Sequence, residues 1–349
     1  MTPPTRVLIV DDSATIRSLI RRRLDRDPRI AVVGEASDPY DAREKIKSLR
    51  PDVLTLDVEM PRMNGLEFLE RLMRLRPMPV VMISTETHRG SAAAIEALAL
   101  GAIECIGKPA ADRLPEGFQN IAELLIVAAR ARVREPGPRP VAAPPEDFCW
   151  NGRFVLIGSS TGGVDALETV LKGFPKACPP TLITQHMPAG FLASFAQRLG
   201  PRIAPRIALA SDGAPLLPGQ VYLAPGGEAH LTVTPGDPPR CRLWHGEKRS
   251  GHRPSVDVLF ESARPIAARS IAVILTGMGR DGAEGMAVLR AGGARTFAQD
   301  EASSVVYGMP RVALESGAAE RAVPLARIAA ELLALAGRDR TAARERALR

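Results

Sequence analysis

Cysteine, lysine, histidine and long apolar runs are all scarce in this sequence, and each scarcity narrows what the chain can be. Its four cysteines, Cys105, Cys149, Cys178 and Cys241, lie far apart and form no C-x-x-C pair, so neither a disulfide framework nor a zinc site is indicated. No apolar stretch approaches the ~20 residues that span a bilayer. The first apolar run, Val7 to Val10, is too short for a signal-peptide core and ends in Asp11-Asp12; a cytoplasmic protein without membrane insertion is expected. There are only six lysines, so the formal charge of +7 rests on arginines scattered along the chain. That pattern reads as composition bias and not as a nucleic-acid surface, and no nucleic-acid partner is expected. The one arginine cluster, Arg338 to Arg349, is interleaved with acids and reads as a solvated helix end or a frayed terminus.

What is present is ordinary globular material, 45% hydrophobic and 24% charged, in a length that predicts two domains, each with its own core. Over residues 6 to about 134, short β-rich runs alternate with amphipathic stretches: Val7–Val10, Ile30–Val33, Val53–Leu56, Val80–Ile83 and a weaker Ile103–Ile106. Five such units imply a parallel sheet covered on both faces. A last helix near Leu114 to Arg134 runs into Glu135-Pro136-Gly137-Pro138-Arg139-Pro140 and Pro144-Pro145, which cannot continue a helix and reads as a linker. The boundaries expected are therefore 1–134, a Pro-rich linker over 135–150, and 151–349 including the basic tail. In the last segment strands restart at Phe154–Gly158, Thr181–Thr184, Val221–Leu223 and Ile271–Leu275, with helices near 163–172, 190–199, 255–268, 283–291 and 303–316.

In parallel α/β sheets ligands gather at the carboxyl ends of the strands. The first strand ends in Asp11-Asp12, the third in Asp57, the fourth in Ser84-Thr85, and Lys108-Pro109 follows the fifth. Clustered carboxylates repel one another and need a cation, and an oxygen-ligand site with room for water suits Mg²⁺. Phosphate added to one carboxylate would be neutralised by the metal and the lysine, which is chemistry for an aspartyl phosphate.

The motifs V-L-I-V-D-D-S, L-D-V-E-M-P-x-M-x-G and K-P, in this order and spacing, resemble a response-regulator receiver domain of flavodoxin-like fold. The resemblance implies Asp57 as phosphoacceptor, with Asp11, Asp12, Asp57 and the Glu59 main-chain carbonyl at Mg²⁺ and Ser84 and Lys108 on the phosphoryl group. It implies a histidine kinase as phosphodonor. Many receivers carry an aromatic residue three positions before the lysine; here Cys105 stands there, so the usual hydroxyl-aromatic relay is expected to be altered.

In the last segment Gly158-Ser159-Ser160-Thr161-Gly162-Gly163 carries an apolar strand into a helix. Helix starts expose unsatisfied N–H groups and positive dipole, so a hydroxyl there sits beside oxyanion donors, though Ser at such a junction is also a common N-cap. Ser160 satisfies G-x-S-x-G literally; the segment matches neither G-x-G-x-x-G nor the lysine-bearing phosphate loop. A serine nucleophile needs a base and the base an orienting group. Of the five histidines His88 lies in the first domain, His230 enters a β-like run, and His245 and His252 flank a polar loop. His186 follows the strand run Thr181 to Gln185 and has the best topology, with capping of the next helix as its alternative role. Asp281 lies past the end of the Ile271–Leu275 strand, as an acid or as a turn residue, and Asp257 and Asp300 are lesser candidates.

Together G-S-S-T-G-G, Q-H-M-P, H-R-P-S-V-D-V-L-F, L-T-G-M-G-R-D-G-A and V-V-Y-G-M-P resemble the catalytic domain of the chemotaxis protein-glutamate methylesterases. The resemblance implies a doubly wound, Rossmann-like sheet without nucleotide. It implies Ser160 as nucleophile, His186 as base and then acid, Asp281 orienting His186, and main-chain oxyanion donors at Met278 and at the 161–163 helix start. No cofactor is expected for the esterase. The substrates implied are methylated or amidated side chains of chemotaxis receptors, with access to the serine blocked by an unphosphorylated receiver and released by phosphorylation. A DNA-binding output module would instead need a helix-turn-helix, which the strand-rich pattern after residue 150 does not offer. A catalytically silent module would leave Ser160 as a cap.

Overall fold

The structure is a computed structural model and describes residues 3–84, 88–108, 118, 120–133, 143–145 and 147–338. The proline cluster over 135–140 and the tail beyond Arg338 lie outside the described residues. Contacts divide the chain into two compact units, Met1–Pro138 and Arg139–Arg349.

The first unit alternates β1 (Thr5–Val10), α1 (Ala14–Leu24), β2 (Ile30–Ala36), α2 (Pro39–Leu49), β3 (Val53–Asp57), α3 (Gly65–Leu75), β4 (Val80–Ser84), α4 (His88–Ala99), β5 (Glu104–Gly107) and α5 (Ile121–Ala129). The five strands form one parallel sheet in the order β2-β1-β3-β4-β5, the flavodoxin-like order expected. β1, β3 and β4 run through the interior, and Val7 to Val10, Val53, Leu54, Leu56 and Val80 to Ile83 are buried, which is why these strands read as continuous apolar runs. Side-chain caps start three helices: Ser13, Asp38 and Asn64 accept N–H groups of the first turns of α1, α2 and α3. The helix expected from Leu114 is described only from Ile121, since 109–117 lie outside the described residues.

The second unit contains β6 (Phe154–Ser159), α6 (Gly163–Lys172), β7 (Thr181–Gln185), α7 (Ala189–Leu199), β8 (Arg206–Leu209), β9 (Gln220–Leu223), β10 (His230–Thr234), β11 (Arg240–Trp244), α8 (Val256–Ser262), β12 (Ser270–Ile274), α9 (Ala283–Ala291), β13 (Arg295–Gln299), α10 (Met309–Glu315), β14 (Arg321–Val323) and α11 (Leu325–Ala336). Seven strands make a parallel sheet in the order β14-β13-β12-β6-β7-β9-β8, while β10 and β11 form a separate antiparallel ribbon. From β6 the chain builds outward through β7, then returns to lay β12 on the other flank of β6. The fold is therefore doubly wound, with its switch point at β6 and β12, where ligands of such sheets bind.

Three expectations need correction. The helix expected over 255–268 ends at Ser262 and continues as a 3-10 turn, Arg264–Arg269, because Pro265 has no N–H to carry the α-helix on. The helix expected over 303–316 begins only at Met309. Residues just before it instead exchange hydrogen bonds with the loop after β12: Val306 N–H donates to Thr276 Oγ1 and the Val306 carbonyl accepts from Gly277. Strands β8, β11, β13 and β14 and helix α11 extend beyond the elements expected. Among the described residues no helix is long and apolar enough to cross a membrane.

Candidate active site

In the first unit the strand ends bring Asp11, Asp12 and Asp57 together with ligand oxygens within 4.8 Å of one another. Asp11 and Asp57 are buried and Asp12 is exposed. Lys108 Nζ donates to Asp57 Oδ2 at 2.7 Å and lies 3.2 Å from Asp11 Oδ2. That Asp11 oxygen is buried and, apart from this ion pair, has no hydrogen-bond partner among the described residues. Burial first, and then the Asp11 charge, push the Asp57 carboxyl up to about 6; burial likewise raises Asp11. Burial alone would lower the Lys108 ammonium, but its hydrogen bond to Asp57 prevails and raises it. Three carboxylates with ligand oxygens this close, two of them buried and raised by burial, with one lysine to offset them, fit a site for a hard divalent cation.

The other predicted residues lie at or just past the neighbouring strand ends. Ser84 is buried at the end of β4, and its carbonyl accepts from Lys108 N–H at 2.6 Å. Glu59 N–H donates to Asp57 Oδ1 at 3.2 Å. Gly65 allows α3 to start against β3: a Cβ there would stand 1.9 Å from the Asp57 carbonyl oxygen. Cys105 is buried on β5 opposite Met82, and burial drives its thiol far above the usual range.

In the second unit Ser160, His186 and Asp281 leave three strand ends on either side of the switch point. Register pairs Ser159 of β6 with Gln185 of β7, so Ser160 and His186 are the next residues on adjacent strands. His186 N–H donates to the Ser159 carbonyl and Ser160 N–H to the Thr276 carbonyl, each at 3.0 Å. Gln185 ties the two turns: its Nε2 donates to the carbonyls of Ser160 (2.9 Å) and His186 (3.1 Å), and its Oε1 accepts from Ser159 Oγ at 2.6 Å.

The capping role for Ser160 fails on geometry. Helix α6 starts at Gly163 with Gly162 as cap, φ 77°, and no side-chain capping bond. Among the described residues the Ser160 hydroxyl makes no hydrogen bond. His186 does not cap α7 either, because Pro188 holds that position without a side-chain bond. Instead His186 Nε2 meets Asp281 Oδ2 at 2.7 Å, both side chains buried. The buried Nδ1 of His186 has no hydrogen-bond partner among the described residues.

Asp281 is more than a turn residue. Its carboxylate accepts the N–H groups of Val256 (2.7 Å) and Asp257 (3.1 Å) and the hydroxyl of Ser255 (2.8 Å), so the first turn of α8 holds it by N–H groups and dipole. Burial alone would raise this carboxyl. The hydrogen bond and charge of His186, with the Val256 and Ser255 donors, hold it below the ordinary carboxylate range. Asp257 accepts from Gly285 N–H and Asp300 from Ser303; neither bonds to His186.

The candidate oxyanion donors are narrowed in the same way. Gly163 N–H is taken by the Ser160 carbonyl at 2.7 Å, which leaves Thr161 and Gly162 of the expected helix start. Met278 follows Gly277, where a Cβ would stand 2.7 Å from Ser160 Cβ, so the Met278 segment runs directly beside the serine. Thr276 braces it: Thr276 Oγ1 donates to the Thr161 carbonyl at 2.9 Å and accepts from Val306 N–H.

Sequence reasoning missed Gln185, Ser255 and Thr276, each of which stood inside a quoted motif without a role, and His252, whose ring stacks on His186. The polar type of the first three at strand and helix ends was a usable signal; the stacking was not.

Two family models match the chain, CheB methylesterase over residues 155–332 and response regulator receiver domain over residues 7–117. The protein-glutamate methylesterase/protein-glutamine glutaminase 1 of Caulobacter vibrioides is 56% identical over 340 residues, covering 96% of this chain and 99% of that one. That of Rhizobium johnstonii is 55% identical, covering 95% and 97%. Among solved structures, the CheB methylesterase catalytic domain of Thermotoga maritima is 38% identical with a TM-score of 0.51, covering 53% of this chain and 99% of that one.

Proposed function

This chain belongs to the CheB methylesterase family, in the form that carries a receiver domain, and from that premise we propose a residue-by-residue assignment of its chemistry. The protein is a carboxylic ester hydrolase that removes methyl groups from glutamate γ-esters and amide nitrogen from glutamine side chains, under control of receiver phosphorylation. The observation that carries the assignment is the buried His186–Asp281 pair, whose Nδ1 has no hydrogen-bond partner among the described residues and which lies one strand away from Ser160, a serine that does not cap α6.

Ser160 Oγ attacks the ester carbonyl while His186 Nδ1 takes its proton; Asp281 stays ionised and stabilises the imidazolium through Nε2–H. The oxyanion is received by main-chain N–H groups of Met278 and of the Thr161–Gly162 turn. His186 then protonates the departing methoxide, releasing methanol. Water, activated by the same nitrogen, cleaves the acyl-serine to restore glutamate. With a glutamine substrate the leaving group is ammonia. The substrates are chemotaxis receptor helices on the cytoplasmic side, which sets the protein in the cytoplasm.

In the receiver, Asp57 accepts phosphate from a chemotaxis histidine kinase. Asp11, Asp12, Asp57 and the Glu59 carbonyl would hold Mg²⁺, while Ser84 and Lys108 would receive the phosphoryl oxygens. Bound there, the cation supplies positive charge to those oxygens. Phosphorylation shifts the population toward the state in which a receptor helix reaches Ser160.

The test is methanol release from methylated receptor membranes by wild type, Ser160→Ala and Asp57→Ala, with and without a small-molecule phosphodonor and Mg²⁺. Stimulated release in wild type, none from Ser160→Ala and no stimulation in Asp57→Ala is the expected result. Release by Ser160→Ala at the wild-type rate would overturn the nucleophile, and intact stimulation of Asp57→Ala would overturn the phosphoacceptor.

A further inference from the structure

We infer that His252 is a positioning residue of the esterase: its ring, stacked flat on His186, holds the general base in the plane that Ser160 and Asp281 require and lies against it when it becomes an imidazolium. The inference rests on the triad reading above. The two ring centroids are 3.7 Å apart and the planes 6° from parallel. A histidine anchored at Nε2 alone keeps a broad, soft ring torsion, and rotation about it swings Nδ1 away from the serine. A second ring in van der Waals contact over one face removes that freedom.

The backbone carrying His252 is tied down on both sides. Arg249 and His252 exchange main-chain hydrogen bonds at 3.1 and 2.9 Å. The Arg249 guanidinium pairs with Glu261 of α8 and Glu284 of α9 at 3.1 and 2.9 Å. Arg253 donates to the carbonyls of Gly227 and Gly246 at 2.8 and 3.0 Å. Among the described residues neither ring nitrogen of His252 makes a hydrogen bond. His230, in the same neighbourhood, has both nitrogens engaged, Nδ1 by Ser255 N–H and Nε2 by the Glu247 carbonyl, and its role is to fix the start of α8. What the His252 side chain contributes is the stack.

The charges facing it agree with that role. Burial, with the neighbouring His186 and Lys248, pulls His252 down to about 4, against the opposing pull of Asp281. At neutral pH it is therefore an uncharged aromatic face. Such a face attracts a cation within ~6 Å of its centroid, so the stack favours the protonated His186 formed as Ser160 attacks. A charged partner at this distance would do the opposite.

Steady-state methanol release from methylated receptor membranes separates positioning from filling, using the full-length protein with phosphodonor and Mg²⁺. His252→Ala and His252→Leu are expected to lower kcat about 10- to 100-fold with KM unchanged, as for a base displaced by a fraction of an ångström. His252→Phe, which restores a flat π face, is expected to recover to within about threefold of wild type. Thermal midpoints taken in parallel identify any variant that does not fold. The inference is overturned if Leu serves as well as Phe, if the loss appears in KM, or if Ala keeps the wild-type kcat. Ser160→Ala run alongside keeps the two readings apart: activity in that variant sinks the triad itself, whereas an inactive Ser160→Ala with a fully active His252→Ala sinks only the stack.

Discussion

Asp281 shows how much of this site depends on single atoms. With Nε2 of His186 committed to the carboxylate, Nδ1 is the ring nitrogen without a partner among the described residues, and the proposed mechanism moves the serine's proton to it. Asp281→Asn presents an amide N–H to Nε2, which makes Nε2 the acceptor and puts the imidazole proton on Nδ1, where the serine's proton must go. The expected result is a loss of about 10³- to 10⁴-fold in kcat with little change in KM, checked by initial rates of methanol release. A drop of only a few-fold would mean that Asp281 is not the orienting group. The meeting of His186 and Asp281 could be read from the sequence because each follows an apolar strand that ends in polar residues. The clamp on Asp281 was not, since Ser255 and the N–H groups of Val256 and Asp257 arrive through tertiary packing of α8, which no local pattern encodes.

At the scale of elements, apolar runs identified most strands buried on both faces, missed the buried β13, whose run Arg295–Gln299 is broken by Arg295, Thr296 and Gln299, and failed at the margins of the second sheet. β8 alternates exposed and half-buried residues at the sheet margin, β14 is three residues long with two of them exposed, and β11 places Arg240 and Arg242 on its outer face. Strands such as these bury too little to announce themselves, and pairing with a neighbour creates them. Helix α11 differs: Leu325, Ile328, Ala329, Leu332, Leu333 and Ala336 keep helical spacing and are buried, so its signal is there to read. The junction of β3 and α3 carries a sharper prediction. Gly65→Ala forces a methyl group into the Asp57 carbonyl, and α3 must move away. We expect a cost of about 1–3 kcal/mol in the receiver, seen as a lowered unfolding midpoint, together with slower phosphorylation by a small-molecule donor. An unchanged midpoint would show that the close approach is not obligatory.

For the molecule as a whole, two parallel sheets gather their candidate site residues at strand carboxyl ends, the rule by which the sequence alone points to both clusters. The receiver also ties fold stability to pH and metal. The Asp57 carboxyl, raised to about 6 by burial and by Asp11, binds its proton more tightly folded than unfolded. Its contribution to stability is fully present below the unfolded value of 3.8 and is lost as pH rises through about 6. Above that, the ionised group weighs against the fold. Without Mg²⁺, Asp57→Asn should therefore gain in unfolding midpoint over wild type as pH is raised from about 4 to about 7. Mg²⁺ at the upper pH should stabilise wild type and close the gap. Calorimetry of the full chain checks both, and a gap that narrows with rising pH would refute the assignment.

The bond between His186 and Asp281 also gives the enzyme a built-in spectroscopic reporter. A proton on Nε2 held 2.7 Å from a buried carboxylate oxygen is expected to be shielded from solvent exchange and to resonate downfield of the amide envelope. Its signal would be readable in the intact protein without any substrate, so the state of the esterase could be followed by nuclear magnetic resonance while the phosphodonor is added.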